Sequence, residues 1–355
     1  SMIKKKTTRA VLGILVSALA LPANAQTQVS AYNTGIVAEG VSYFLPQTEI
    51  TVKVVSTATT YTPGEFCRYA ERYLHITGVR QNPETKHVIS EMSVQPIGTP
   101  DTTKHYTIKL KDKTIAPFVR LDDKGVLLAI NTDTETWQDA IKVPAEKRNN
   151  IKPKDFLTHE ILSANSIAKM AELTAAEIYD IRESRSAIMK GEVETMPKDG
   201  ASLKIVLDEL NRQEEALLQL FIGYEESKST VKTFTYIPKG DTDKDIIFRH
   251  SEKYGFTTAD DLGGNPYYIS VKDQHSVSLP TAEESAKRKI TGVVYNLPSL
   301  ANIRIFTPLR TYFDTELPIA QFGTVDVLSS TLFNKGATTK VTFNASTGAI
   351  TKIEK

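Results

Sequence analysis

Ser166 and Lys169 stand in the spacing Ser-x-x-Lys, in which a lysine beside a serine can take its proton and make a nucleophile. Ser229 and Lys232 repeat the spacing. The companion Ser-Asp-Asn and Lys-Thr-Gly motifs do not occur, and about two chance matches are expected at this serine and lysine content. Asp241, Asp243, Asp245 and Glu252 fall at the first, third, fifth and twelfth positions of a calcium loop. The sixth position, where the sharp turn needs glycine, holds Ile246. A polar turn leading into the strand-like IIFRHS is the better reading.

His75, His87, His105, His159, His250 and His275 are scattered, and no His-x-His or His-Glu-x-x-His spacing asks for a metal. No Gly-x-Ser-x-Gly elbow, phosphate loop or dinucleotide fingerprint occurs. The residues therefore nominate no catalytic, metal-binding or cofactor-binding group. Asp260, Asp261 and Tyr267 surround the loop residues Gly263 and Gly264. An acid pair beside a tyrosine face is the pattern that grips a sugar, so these three residues are the candidates for partner binding. Tyr268 is expected in the core. Asn344-Ala-Ser346 fits the N-glycosylation pattern, but it sits in an expected hairpin turn.

The chain that must position these groups has 355 residues, 40% hydrophobic and 24% charged, with a net charge of +1. That balance offers no electrostatic footprint for nucleic acid. The N-terminus carries Lys4, Lys5, Lys6 and Arg9, then an apolar run from Ala10 to Leu21 and the triplet Ala23-Asn24-Ala25. This is the layout of a secretory signal peptide cleaved near Ala25. The run is about 12 residues, short of the roughly 20 that a spanning helix needs. Gln26 stands where a lipoprotein needs cysteine. The expected address is therefore periplasmic or secreted, with no lipid anchor and no membrane span after cleavage. The sole cysteine, Cys67, leaves a chain in an oxidising compartment to be held by core burial.

Alternation of Ile50, Val52 and Val54 predicts a strand. Thr62, Pro63 and Glu65 read as the start of a short helix from Pro63 to Leu74. After a polar linker, Ile167, Ala171, Thr174, Ile178, Ile181 and Ile188 recur at helical steps, as do Leu203, Leu207, Leu210, Leu217 and Phe221. Those runs predict an antiparallel helical hairpin, with Gly223 as its stop. Strands return from Thr230.

The stretch GVSYFLP at Gly40 recurs as GVVYNLP at Gly292. The strand–turn–strand VRLDDKGVLLAI recurs as VTFNASTGAITKI, with Gly125 opposite Gly348. A looser echo between them sets Ala70 opposite Ala320. Three blocks in the same order point to an internal duplication. The expected organisation is a signal peptide at 1–25, an N-terminal β module with one short helix at 26–150, the helical hairpin at 151–228, an intermediate β segment at 229–285, and a related C-terminal β module at 286–355. The fold class is α+β, mostly β, with two related β modules bracketing the hairpin.

The segments GEVETMPKDGASLKIVLDELNRQEEALLQLFIG, IIFRHSEKYG, DDLGGNPYYI and PIAQFGTV resemble an exported family from gut-dwelling Gram-negative bacteria, domain of unknown function 4831. The resemblance spans nearly all of the mature chain. It implies an exported address and one architecture, and it brings no activity, substrate or cofactor. The function expected from the whole sequence is a non-catalytic envelope or secreted protein that binds a glycan or protein partner. The alternatives are a hydrolase whose site is assembled from distant residues, and an oligomeric scaffold using the hairpin.

Overall fold

The computed structural model describes residues 28–29, 40–108, 118–134, 140–289, 291–333 and 339–355, so the expected signal peptide lies outside the described residues. The chain runs through β1 (Gln28–Val29), β2 (Val41–Thr62), α1 (Ala70–Leu74), β3 (Glu84–Ile108), β4 (Val119–Leu121) and β5 (Leu127–Ile130). The helices α2 (His159–Leu162), α3 (Ile167–Lys190) and α4 (Gly200–Ile222) follow, then β6 (Tyr224–Tyr236), β7 (Thr242–Ser251), β8 (Gly255–Thr257) and β9 (Asn265–Asp273). After α5 (Ala282–Lys287) come β10 (Gly292–Thr307), β11 (Arg310–Ser329), β12 (Lys340–Phe343) and β13 (Ile350–Glu354). The protein is α+β and mostly β.

Among the described residues three sheets form, ordered β3-β2-β6, β11-β10-β9-β7-β8 and β1-β4-β5-β12-β13. The long β2 is central in the first. Its alternation puts Ile50, Val52 and Val54 fully out of water against Ile269, Val271, Ile303, Ile305 and Ile319 of the second sheet. Each such aliphatic side chain contributes about 2 kcal/mol of burial free energy. The first residues of β2 serve a different core: Tyr43 and Leu45 pack with Val119, Leu127, Val293 and Val341 around the third sheet.

One expected local feature differs, and one strand lies where no signal was read. Thr62 ends β2 instead of capping a helix, and only a 3-10 turn at Cys67–Tyr69 and α1 follow. The Phe66 N–H donates to the Leu220 carbonyl at 2.7 Å, and a Cβ at Gly64 would lie 2.2 Å from the same oxygen. The C-terminal turn of α4 thus holds the stretch where the first helical turn was expected. The residues Glu84–Lys104 form most of β3 despite Pro96 and Pro100. Among the described residues that strand pairs only with β2, and an edge strand tolerates a missing N–H.

The helices follow their local signals. Ser166 caps α3 by accepting from the Lys169 N–H at 3.1 Å, and Asp199 caps α4 by accepting from the Ser202 N–H at 2.8 Å. Gly191, at φ 71°, takes the left-handed turn that ends α3. Ala171, Ala175, Ile178 and Ile181 pack with Leu217, Leu220 and Phe221 in a third core that also takes Phe66 and Leu74. Further out, the Glu214 carboxylate accepts from both Arg182 and Arg185. Burial pushes the Glu214 carboxyl up, but the two guanidiniums outweigh it and hold the group below its ordinary value. No helix of the described residues is long and apolar enough to cross a membrane.

Candidate functional site

A cleft of about 440 Å³ lies where α4 ends and β6 begins. One wall is the segment 147–151. The Lys147 N–H donates to the Ser227 carbonyl and the Ser227 N–H returns the bond to Lys147, each at 2.9 Å. The Asn149 N–H donates to Glu226 Oε1 at 3.0 Å. The Asn149 and Gln219 amides then pair reciprocally, at 3.1 and 2.9 Å. A segment that composition marks as linker is therefore held in one conformation.

The opposite wall comes from α4. Leu217, Leu220 and Phe221 face the core, so Glu215, Leu218, Gln219 and Ile222, at helical steps of three and four, line the cleft. Tyr224 and Glu225 of β6 close the end. A second hollow of about 370 Å³ shares Asn150 and Ile151 and continues to Asp155, Phe156 and Arg212. There the Arg212 guanidinium, paired with Glu209, sits 5.0 Å from the centre of the Phe156 ring. Planar amides, carboxylates, guanidiniums and a phenol can together give and accept hydrogen bonds along an extended polar ligand. They include no serine or cysteine nucleophile.

Asp260 and Asp261 lie in an exposed turn, where Asp261 Oδ1 accepts from the Gly263 N–H at 2.8 Å. Tyr267 is only 8% exposed. Its ring stacks on Phe248 with centroids 4.4 Å apart, and its hydroxyl stands 3.4 Å from that of Tyr312. Burial pushes its phenol pKa up, with the Tyr312 bond adding to it. The structure thus keeps the two acids at the surface and turns Tyr267 inward. Tyr268, expected in the core, points outward with Lys244 Nζ 4.4 Å from its ring centre.

The other motif residues have separate employment. Ser166 is a helix cap, and the Ser229 hydroxyl bonds Thr57 at 2.9 Å. Asp241 accepts from the Asp273 N–H, Asp243 pairs with Lys272, Asp245 accepts from the Tyr236 hydroxyl, and Glu252 pairs with Lys86. Among the described residues, no three histidine, cysteine or acidic side chains converge as a metal site would need.

One contact escaped sequence reasoning. Ser56 Oγ lies 2.8 Å from His250 Nε2, although 194 residues separate them. Burial, helped by nearby His87, pulls the imidazole pKa down to about 4, so it is a neutral base near pH 7. Both residues are buried, at 6% and 5% exposure, and Phe256 sets its ring edge-on to the imidazole at 5.3 Å. Among the described residues no carboxylate bonds His250 to orient it. A nucleophile needs access and an oriented base, and this pair has neither.

No curated protein and no solved structure matches this chain. A family described as Domain of unknown function (DUF4831) matches residues 39–351. With nearly the whole described fold inside that match, the chain belongs to the DUF4831 family.

Proposed function

We propose that this is an exported, non-catalytic binding protein that holds a short glycan segment in the cleft between residues 147–151, α4 and β6. The observation that carries the reading is the fixed amide pair Asn149–Gln219 in a cleft that Tyr224 and Glu215 also line. Paired donors and acceptors beside a ring suit sugar hydroxyls and the apolar face of a pyranose. The walls carry Lys147 and Glu215, while Arg148 is paired with Glu146 and Glu225 with Arg80; that balance suits a neutral ligand better than a strong anion. Export rests on the basic head, apolar run and Ala23-Asn24-Ala25 of the leader. The test is a glycan array probed with the mature chain, then titration of any hit against Tyr224→Ala and Glu215→Gln. Binding that weakens about tenfold in each variant is expected. An empty array, or a hit indifferent to both substitutions, sinks the reading.

The same proposal includes two related β modules around the helices. Matching details support it. The Phe44 N–H donates to the Gly125 carbonyl at 2.9 Å, and the Asn296 N–H donates to the Gly348 carbonyl at 3.1 Å. Those partners are the equivalent residues of the repeated blocks. Asp122 Oδ1 accepts from the N–H groups of Lys124 and Val126, as Asn344 Oδ1 does from those of Ser346 and Thr347. Both turn glycines take positive φ, 87° and 73°. Each long hairpin also shifts register beside the motif proline, between Phe44 and Pro46 and between Leu297 and Ser299.

A further inference from the structure

We propose that residues Val143–Lys147 are a strap that zips onto the free edge of β6, adding a fourth strand to that sheet. The strap leads directly into the cleft wall at 147–151, but the inference stands apart from the identity of any ligand. Among the described residues, β6 has β2 along one edge and only the Lys147–Ser227 bridge on the other. That bridge is antiparallel, with both hydrogen bonds made. Backbone alternation then turns the N–H and C=O of Ser229 and Val231 away from β2, toward the side where the strap begins.

The bridge fixes the register, and every pair in it is compatible. Glu146 falls opposite Lys228, an opposite-charge pair. Lys228 already acts on the Glu146 carboxyl, which Arg148 first and Lys228 last pull below the ordinary carboxylate value. Ala145 falls opposite Ser229. Pro144 falls opposite Thr230, at a position whose missing N–H points away from β6 and costs no bond. Val143 falls opposite Val231, and these two apolar side chains are 49% and 42% exposed as they stand. A residue before proline already prefers extended backbone, which suits Val143. The next pair, Lys142 against Lys232, sets like charges together and ends the zipper. The strap is thus bounded in sequence by a bridge at one end and a repulsion at the other. Closing it covers the two valines and gives two further residues of β6 a partner for their main-chain groups.

The experiment is cysteine cross-linking in a Cys67→Ser background. In this register Pro144 and Thr230 are a non-hydrogen-bonded pair, with Cα atoms about 4.5 Å apart when zipped, inside disulfide range. Pro144→Cys with Thr230→Cys is expected to form a disulfide under mild oxidation at least tenfold faster than Pro144→Cys with Lys232→Cys, one step out of register on the same face. Hydrogen exchange adds a readout without substitutions: the Ser229 and Val231 amides are expected to exchange at least tenfold more slowly than those of Thr233 and Thr235, beyond the strap. Equal cross-linking of the two cysteine pairs, or equal exchange at all four amides, overturns the proposal.

Discussion

Replacing Tyr43 by phenylalanine deletes one oxygen and tests how the two halves of the β structure are joined. Tyr43 is 1% exposed. Its hydroxyl donates to the Val294 carbonyl at 2.9 Å and accepts from the Val294 N–H at 2.8 Å. One side chain near the start of β2 thus satisfies both main-chain groups of a residue 251 positions later. Each bond has a net worth of about 1 kcal/mol, and a buried main-chain group left without a partner costs about 1–3 kcal/mol. Phenylalanine keeps the ring and its packing, so the cost is confined to the polar groups, about 3 kcal/mol in all. Urea denaturation of the purified chain measures it. With a slope of about 3 kcal/mol per molar for a protein of this size, the midpoint falls by about 1 M. A loss below about 1 kcal/mol at unchanged slope refutes the argument that this hydroxyl clamps β10 to β2.

Acid should weaken the fold through His250. Its folded pKa of about 4 lies below the ordinary 6.5, so the unfolded chain takes up the proton first and stability falls as pH drops from about 6.5 to about 4, then levels off. The full gap is worth about 3 kcal/mol, and partial solvent screening leaves about 2; an His250→Gln variant whose stability falls just as steeply over that window contradicts this. Glu214→Ala strands Arg182 and Arg185 on the helix pair and should cost about 1–2 kcal/mol, by thermal denaturation at low salt, against no effect if the pairs are idle. Gly98→Ala should cost about 2–3 kcal/mol, because its Cβ would meet the Ala345 carbonyl oxygen at 1.8 Å; a wild-type melting temperature would show that the turn yields freely.

Much of the scaffold was legible because its signals are local. The alternation at Ile50, Val52 and Val54 reports burial directly, and Gly223 marks the end of α4, whereas Ser166, weighed for its Ser-x-x-Lys spacing, proves to be the cap of α3. Most of β3 went unread: Pro96 and Pro100 carry no N–H, and a strand can hold them because it lies at an edge. The Pro63 helix start was overridden by a contact with Leu220, which no local window contains. At Tyr267 and Tyr268 the alternation was visible, but its phase was not: only the stacking on Phe248 decides which ring turns inward. The cleft was illegible for a similar reason. Asn149 and Gln219 belong to no motif, and 70 residues separate them. Their meaning lies in a pairing that exists only after Lys147 is bridged to Ser227.

The placement of β2 at the centre of its sheet has a kinetic consequence. Thr62 pairs with Tyr224, and Ile50 with Tyr236, so the ladder along one side of β2 waits for chain made long afterwards. Closing loops of such length is entropically uphill before any contact rewards it, and topologies rich in distant pairings fold slowly. This early strand therefore spends its first moments incomplete. For a chain proposed to leave the cytoplasm, such a delay would keep the polypeptide threadable during translocation.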